Sequence, residues 1–171
     1  MSRALKNGVR PEIVAYLKFR PAFFDQFDPA IKKNATARGW TKISTFLEMG
    51  LPPHIELAAI QGQVGPGPAS DFVSFLRVWR DLPDIDKLIA NPQTSEVPDI
   101  KKKPDVVYAI CGALAHKATS KNVGNIITYS ERLPGEFAVM TLKDALVRDR
   151  TLQGNKDVLQ WLRGRGSKLI L

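Results

Sequence analysis

Arg38 stands in the run Asn34 to Ser44, NATARGWTKIS, where the chain reads as entering a helix. A lead of polar and small residues, Asn34-Ala35-Thr36-Ala37, precedes it. Trp40, Ile43, Phe46 and Leu47 then recur at three- and four-residue steps, the one-sided period of an amphipathic helix. Gly50 fits the left-handed residue that closes such a helix. A cation in a first turn meets the partial positive charge of the helix start, and an anion placed there would neutralise both. The other reading leaves Arg38 on the surface with its charge in water, and spacing alone leans that way.

Other chemistry-bearing residues are sparse. The two histidines, His54 and His116, are far apart in sequence, and no Cys/His grid accompanies them. His116 reads as a surface or dipole-satisfying residue near a helix end rather than a metal ligand. No EF-hand loop is present. Gly62, Gly65 and Gly67 lie within GQVGPGP, but no strand precedes them and no Gly-Lys-Ser/Thr follows, so the stretch reads as a turn between helices. Asp71, Asp84, Asp86 and Glu131 fall where helices take first-turn acids or exposed charges, and Glu136 after Pro134 does the same. Neither a nucleophile paired with a base nor a glycosidase pair is indicated by spacing.

The elements that would carry these residues are helices punctuated by proline and glycine. Met1 to Asn7 reads as a helix tail. Pro11 opens a short helix with Ile13, Val14 and Leu17 inward, ended by Arg20-Pro21. Residues 21–35 read as irregular, with Phe23, Phe24 and Phe27 needing burial. Leu51-Pro52-Pro53 starts the next helix, running through Ile55, Ala58, Ala59 and Gln61. A helix from Ala69 to Arg80 follows, with a stripe of Phe72, Phe75, Leu76 and Trp79, and then a short helix carrying Ile85, Leu88 and Ile89. Residues 91–104 are polar and proline-bearing, the best place for a mobile loop. Pro104 opens the most apolar helix, through Val106, Val107, Ile110, Cys111, Leu114 and Ala118, with Gly112, Ala113 and Ala115 suited to close packing. Asn122 would cap a helix of Ile126, Ile127, Tyr129 and Leu133. Pro134 starts another, with Phe137, Ala138, Met140 or Thr141, Ala145 and Leu146 inward. A last helix carries Val158, Leu159 and Leu162, followed by the tail Arg163 to Leu171. No alternating run marks a strand. The predicted fold is all-α, a multi-helix bundle of about eight or nine short helices.

The composition agrees. The chain has 171 residues, 44% hydrophobic and 25% charged, enough to bury a core in one domain. No apolar run reaches the roughly 18–20 residues of a membrane helix. The N-terminal residues lack an apolar signal core, and the single cysteine, Cys111, reads as a buried reduced thiol. Together these point to a cytoplasmic protein without a membrane. The net charge of +8 permits contact with nucleic acid without demanding it. Its two clusters, Lys101-Lys102-Lys103 and Arg163-Arg165-Lys168, do not interleave with aromatic residues in the manner of a single-strand binder.

Several stretches, in order, resemble one family: NGVRPEIVAYLKFRP, FDP, ATARGWTKIS, LPPHIELAAIQGQVG, DFVSFLRV, LPDIDKLI, VVYAICGALA and ITYSERLPGEFAVM. From about Asn7 to about Asp149 they are similar to the C-terminal part of the MoxR-like AAA+ ATPases of bacteria and their phages. The resemblance implies that residues 1–50 form a lid-like helical segment, residues from about 10 to 50 covering the nucleotide. Residues 51–171 would form a C-terminal helical region packed on it. Arg38 would match the sensor-2 arginine, which reaches the γ-phosphate of ATP. Ala37 departs from the pattern, which usually has proline there. The core that holds ATP and magnesium would lie ahead of Met1, as part of a longer chain, or be supplied by another chain to a shortened gene product.

Three functions are therefore in view. The first is the lid and C-terminal helices of an ATPase in chaperone-like remodelling, with a core, neighbouring ATPase subunits and a protein client as partners. By itself the chain is expected to hold no cofactor and to hydrolyse no ATP. The second is a non-catalytic helical interaction module, such as an accessory or phage protein. The third, least favoured, is a basic nucleic-acid-binding domain.

Overall fold

A computed structural model describes residues 9–25, 29–30 and 34–166. Met1 to Asn7, Phe27 and Lys168 lie outside the described residues. Nine α-helices occur among the described residues: α1 Pro11–Phe19, α2 Ala37–Met49, α3 Pro53–Val64, α4 Pro66–Arg80, α5 Ile85–Ala90, α6 Pro104–Lys117, α7 Val123–Ser130, α8 Gly135–Arg148 and α9 Lys156–Trp161. Short 3-10 turns cover Pro21–Phe23 and Arg150–Gly154. No strand occurs among the described residues, so the fold is an all-α bundle. No helix among them is long and apolar enough to cross a membrane.

Proline sets the starts. Pro11, Pro53, Pro66 and Pro104 each occupy the first position of a helix, where a missing N–H leaves nothing unsatisfied. Gly50 closes α2 at φ 63°. The GQVGPGP stretch is a narrower corner than its composition suggests. Gly62 belongs to α3 and Gly67 to α4, and the chain turns at Gly65 alone, with φ 87°.

The bundle is built around α1, α6 and α8. At the α1–α6 crossing, a methyl placed on Gly112 would come within 2.7 Å of the Ala15 Cβ, so glycine is what lets the two backbones approach. One apolar cluster gathers Tyr16, Trp40, Phe72 and Phe75, with Tyr16 and Phe72 ring centres 4.9 Å apart and Trp40 edge-on to Phe72 at 5.3 Å. A second joins α5, α6, α7 and α8, and a third, smaller one joins Leu142 with Val158 and Trp161. Phe23 and Phe24 are half-buried against the first cluster.

The structure decides which residues of these helices face inward. Ile55 is 45% exposed and Ala58 is also exposed, whereas Glu56, Ile60 and Val64 face inward. The Glu56 carboxylate is held there by both Nη groups of Arg80, at 3.1 and 2.5 Å. Leu159 is 39% exposed, and Trp161 takes the buried position. The Asn122 side chain does not cap α7. It accepts from the Thr119 N–H at 2.7 Å and donates to the Lys117 carbonyl at 3.0 Å, tying off the end of α6 instead. The stretch 91–104 is pinned at its middle. Tyr129 donates to the Glu96 carbonyl and Arg132 to those of Pro92 and Ser95, while Val97 and Ile100 pack on the core.

Candidate functional site

The start of α2 is held from three sides. Thr36 is the N-cap, and its hydroxyl accepts from the Gly39 N–H at 3.2 Å, satisfying one orphan donor of the first turn. The indole N–H of Trp40 donates to the Phe23 carbonyl at 2.8 Å, with the ring buried against Tyr16 and Phe72. Gly39 presses on the end of α3, where an added Cβ would lie 2.6 Å from the Gln63 carbonyl oxygen. Between Thr36 and Gly39 sits Arg38, exposed and without a hydrogen bond or ion pair to any described residue. No acid stands in the first turn of α2. A rigid helix start thus presents an uncompensated guanidinium beside the partial positive charge of the helix end, an arrangement complementary to an anion.

A cavity of about 470 Å³ opens elsewhere, between the start of α1, the ends of α2 and α6, and α8. Its polar lining is Arg10, Glu12, Glu48, His116, Asp144 and Arg148. Glu12 is buried; its Oε1 accepts from Arg10 Nε at 2.7 Å, while its Oε2 has no hydrogen-bond partner. Asp144 pairs with Lys18 across the α1–α8 contact. Burial raises the Asp144 carboxyl above its ordinary 3.8, with the Lys18 ammonium pulling the other way. Arg148 donates to the carbonyls of Ala115 and Ala118, satisfying the end of α6. Partial burial, then the Arg148 charge, lower the His116 imidazole below its ordinary 6.5. That ring is therefore poorly suited to carry a positive charge for the helix dipole, which the Arg148 guanidinium answers instead.

Arg38 is not among the residues lining this cavity. It lies near the start of α2 and Glu48 near its end, about 15 Å apart along the axis at 1.5 Å per residue. None of the cavity's charged pairs was singled out from sequence. A signal existed for some of them. Asp144 falls beside Thr141 and Ala145 on the buried side of α8, and Glu56, outside the cavity, falls in step with Ile60 and Val64 in the same way. An acid on an apolar stripe asks for a partner cation, but sequence does not name it.

The remaining candidates disperse. Cys111 is buried, and burial pushes its thiol up to about 12. Asp84 caps α5, Asp71 pairs with Arg20, and Asp86 pairs with Lys117. Glu131 flanks the end of α7, and Glu136 stands in the first turn of α8. His54 is exposed at the start of α3. Lys101, Lys102 and Lys103 are exposed, as is Arg163. No group of three or more His, Cys, Asp or Glu side chains among the described residues is arranged to hold a metal ion. Comparison of the chain with protein-family models, with curated proteins and with solved structures gives no match.

Proposed function

We propose that this chain is the lid and C-terminal helical portion of a MoxR-like AAA+ ATPase engaged in chaperone-like remodelling, and that Arg38 is its phosphate-sensing residue. The observation that carries the reading is the Arg38 guanidinium, unpaired among the described residues, on a helix start fixed by Thr36, Gly39 and Trp40. Such a position suits contact with the terminal phosphate of ATP bound by a core, with magnesium held by that core. Bound ATP would supply the transferable phosphoryl group. Arg38 would orient it and stabilise its negative charge through a forked, permanently charged donor. Arg38 is the one residue of the chain assigned to that phosphate. Holding the nucleotide is accordingly assigned to the core.

The test joins a MoxR-like core to the N-terminus of the full chain and follows phosphate release. The Arg38→Ala change is expected to lower turnover by about 10²–10³, the scale of losing one charge-stabilising donor, while leaving melting unchanged. The chain alone is expected to release no phosphate. Full turnover with Arg38→Ala would overturn the assignment.

A second reading, a helical interaction module without nucleotide, is favoured by one observation. Met49, Ile55 and Leu57 are exposed at and just beyond the α2–α3 corner, where they offer apolar surface to a partner protein. In that case Ile55→Glu abolishes partner capture and Arg38→Ala leaves it intact. Nucleic-acid binding through the basic residues would instead show a steep loss of affinity with salt.

A further inference from the structure

We propose that the outer face of α3 is a self-association surface, on which α3 of a second copy of this chain lies antiparallel across a two-fold axis. Only a narrow line of α3, Glu56, Ile60 and Val64, is buried. On the opposite side run Ile55, Ala58 and Gly62, all exposed, with Ala59 half-buried beside them. Their three- and four-residue steps place them on one face of the helix. Ile55 stands out from that face with 45% of its surface exposed, and at Gly62 nothing lies within 4 Å of an added Cβ. The face therefore has a knob near its start, a gap near its end and alanines between them.

Two properties name a second copy as the occupant. The first is register. In an antiparallel pair, setting Ile55 of one copy on Gly62 of the other also sets Ala58 of the first on Ala59 of the second, and the two-fold repeats both contacts. Alanine at the crossing lets the helix axes approach to the short end of their usual range of about 8–10 Å. The partner must offer a gap where α3 has a knob and a knob where α3 has a gap, and α3 reversed does both. The second property is charge. The chain carries a net charge of +8, yet from Met49 to Ser70 it has no lysine or arginine. The one acid of α3, Glu56, is turned inward onto Arg80. This helix offers no cation to an acidic protein or a nucleic acid, and two copies of a cationic chain meet here with little like-charge repulsion. The inference is independent of the phosphate-sensing reading, since it uses no residue of α2, and it gives the interaction-module reading a named partner.

One crossing of two helices this short buries less than the roughly 1,200 Å² of a stable complex, so the pair is expected to dissociate at about 0.1–1 mM. Sedimentation velocity of the full chain over about 0.02–1 mM is expected to show the mass rising toward a dimer and no further, as a closed two-fold requires. Gly62→Ile fills the gap and is expected to weaken association tenfold or more, at a site open enough for the monomer to fold unchanged. Ile55→Ala removes the knob and is expected to weaken it as well. Joining the two exchanges knob and gap, and is expected to bring association back to within several-fold of the parent. General apolar adhesion would instead tighten with Gly62→Ile, which adds apolar surface. That result, a monomer at every concentration, growth past the dimer, or no recovery in the double variant would overturn the proposal. Capture of a different protein through Ile55 by a chain that stays monomeric would also overturn it, while leaving the interaction-module reading in place. Arg38→Ala is expected to associate as the parent does, so this proposal and the phosphate-sensing one fail separately.

Discussion

Gly39→Ala isolates the contact that fixes the start of α2. An alanine Cβ at this site would sit 2.6 Å from the Gln63 carbonyl oxygen and 3.3 Å from Val64 Cγ1. The nearest atom belongs to the backbone at the end of α3, so it cannot rotate away as a flexible side chain would. Relief requires the two helix ends to part, which also disturbs the Thr36 cap, because the Gly39 N–H donates to it. Forcing a methylene into a packed contact costs about 1–3 kcal/mol, against a gain of up to about 1 kcal/mol from replacing glycine in a helix. The net expectation is a loss of about 1–2 kcal/mol, or about 2–8 °C in melting temperature for a chain of this size.

Gly62→Ala is the matched control. Gly62 is exposed within α3, and nothing lies within 4 Å of an added Cβ, so only the helix-propensity gain remains. It is expected to raise the melting point by about 2–4 °C. Far-UV circular dichroism melts of the parent and both variants decide the matter. If Gly39→Ala melts at or above the parent, the contact with Gln63 does not restrain α2, and the rigidity argued for Arg38 fails with it.

Removing the partner of a buried acid should cost more than removing both. Arg80→Ala leaves Glu56 unpaired and is expected to destabilise by about 1–3 kcal/mol, while Glu56→Leu with Arg80→Met should fall within about 1 kcal/mol of the parent in urea titration. His116 gives a pH signature. Its folded pKa lies below the ordinary 6.5, through burial and then the neighbouring Arg148, with Arg10 and Lys117 adding and Glu12 opposing. The unfolded chain therefore binds the proton more readily, and the stability present above 6.5 declines as the pH falls through and below it. Urea midpoints at pH 7.5 and 5.5 should differ less in His116→Gln than in the parent; an equal difference would rule the effect out. Asp144, whose folded pKa is raised, acts in the opposite sense but is common to both proteins and cancels in the comparison. The Cys111 thiol, pushed up to about 12 by burial, should resist an aromatic disulfide reagent at pH 8 and react once guanidinium unfolds the chain. Reaction of the folded protein at the rate of a free thiol would contradict its burial.

The amino-acid order by itself determined where helices begin and end. Proline at the first position of α1, α3 and α6, Asp84 ahead of α5 and Gly50 behind α2 act through the backbone of their own segment, so they are legible without knowing the neighbours. The stripes of α2 and α4 were legible for the same reason, since each has one clearly apolar side. The placing of Arg38 in a first turn belongs here too. In α3 the apolar residues surround the helix, and no local feature says that Glu56 goes in with Ile60 and Val64 while Ile55 goes out. That choice falls to Arg80, which sits a whole helix away. Asn122 likewise follows the carbonyl left open by α6 rather than the helix it precedes.

Only the tertiary structure decided what surrounds the chemical groups. It made Gly39 a contact residue, left Arg38 without a partner among the described residues, and brought Arg10 and Glu12 from one end of the chain to Asp144 and Arg148 near the other. The physical reason is reach. Helix starts depend on hydrogen bonds within one turn, whereas the cavity's charges meet because α1 and α8 both pack on α6, with Gly112 allowing α1 to approach.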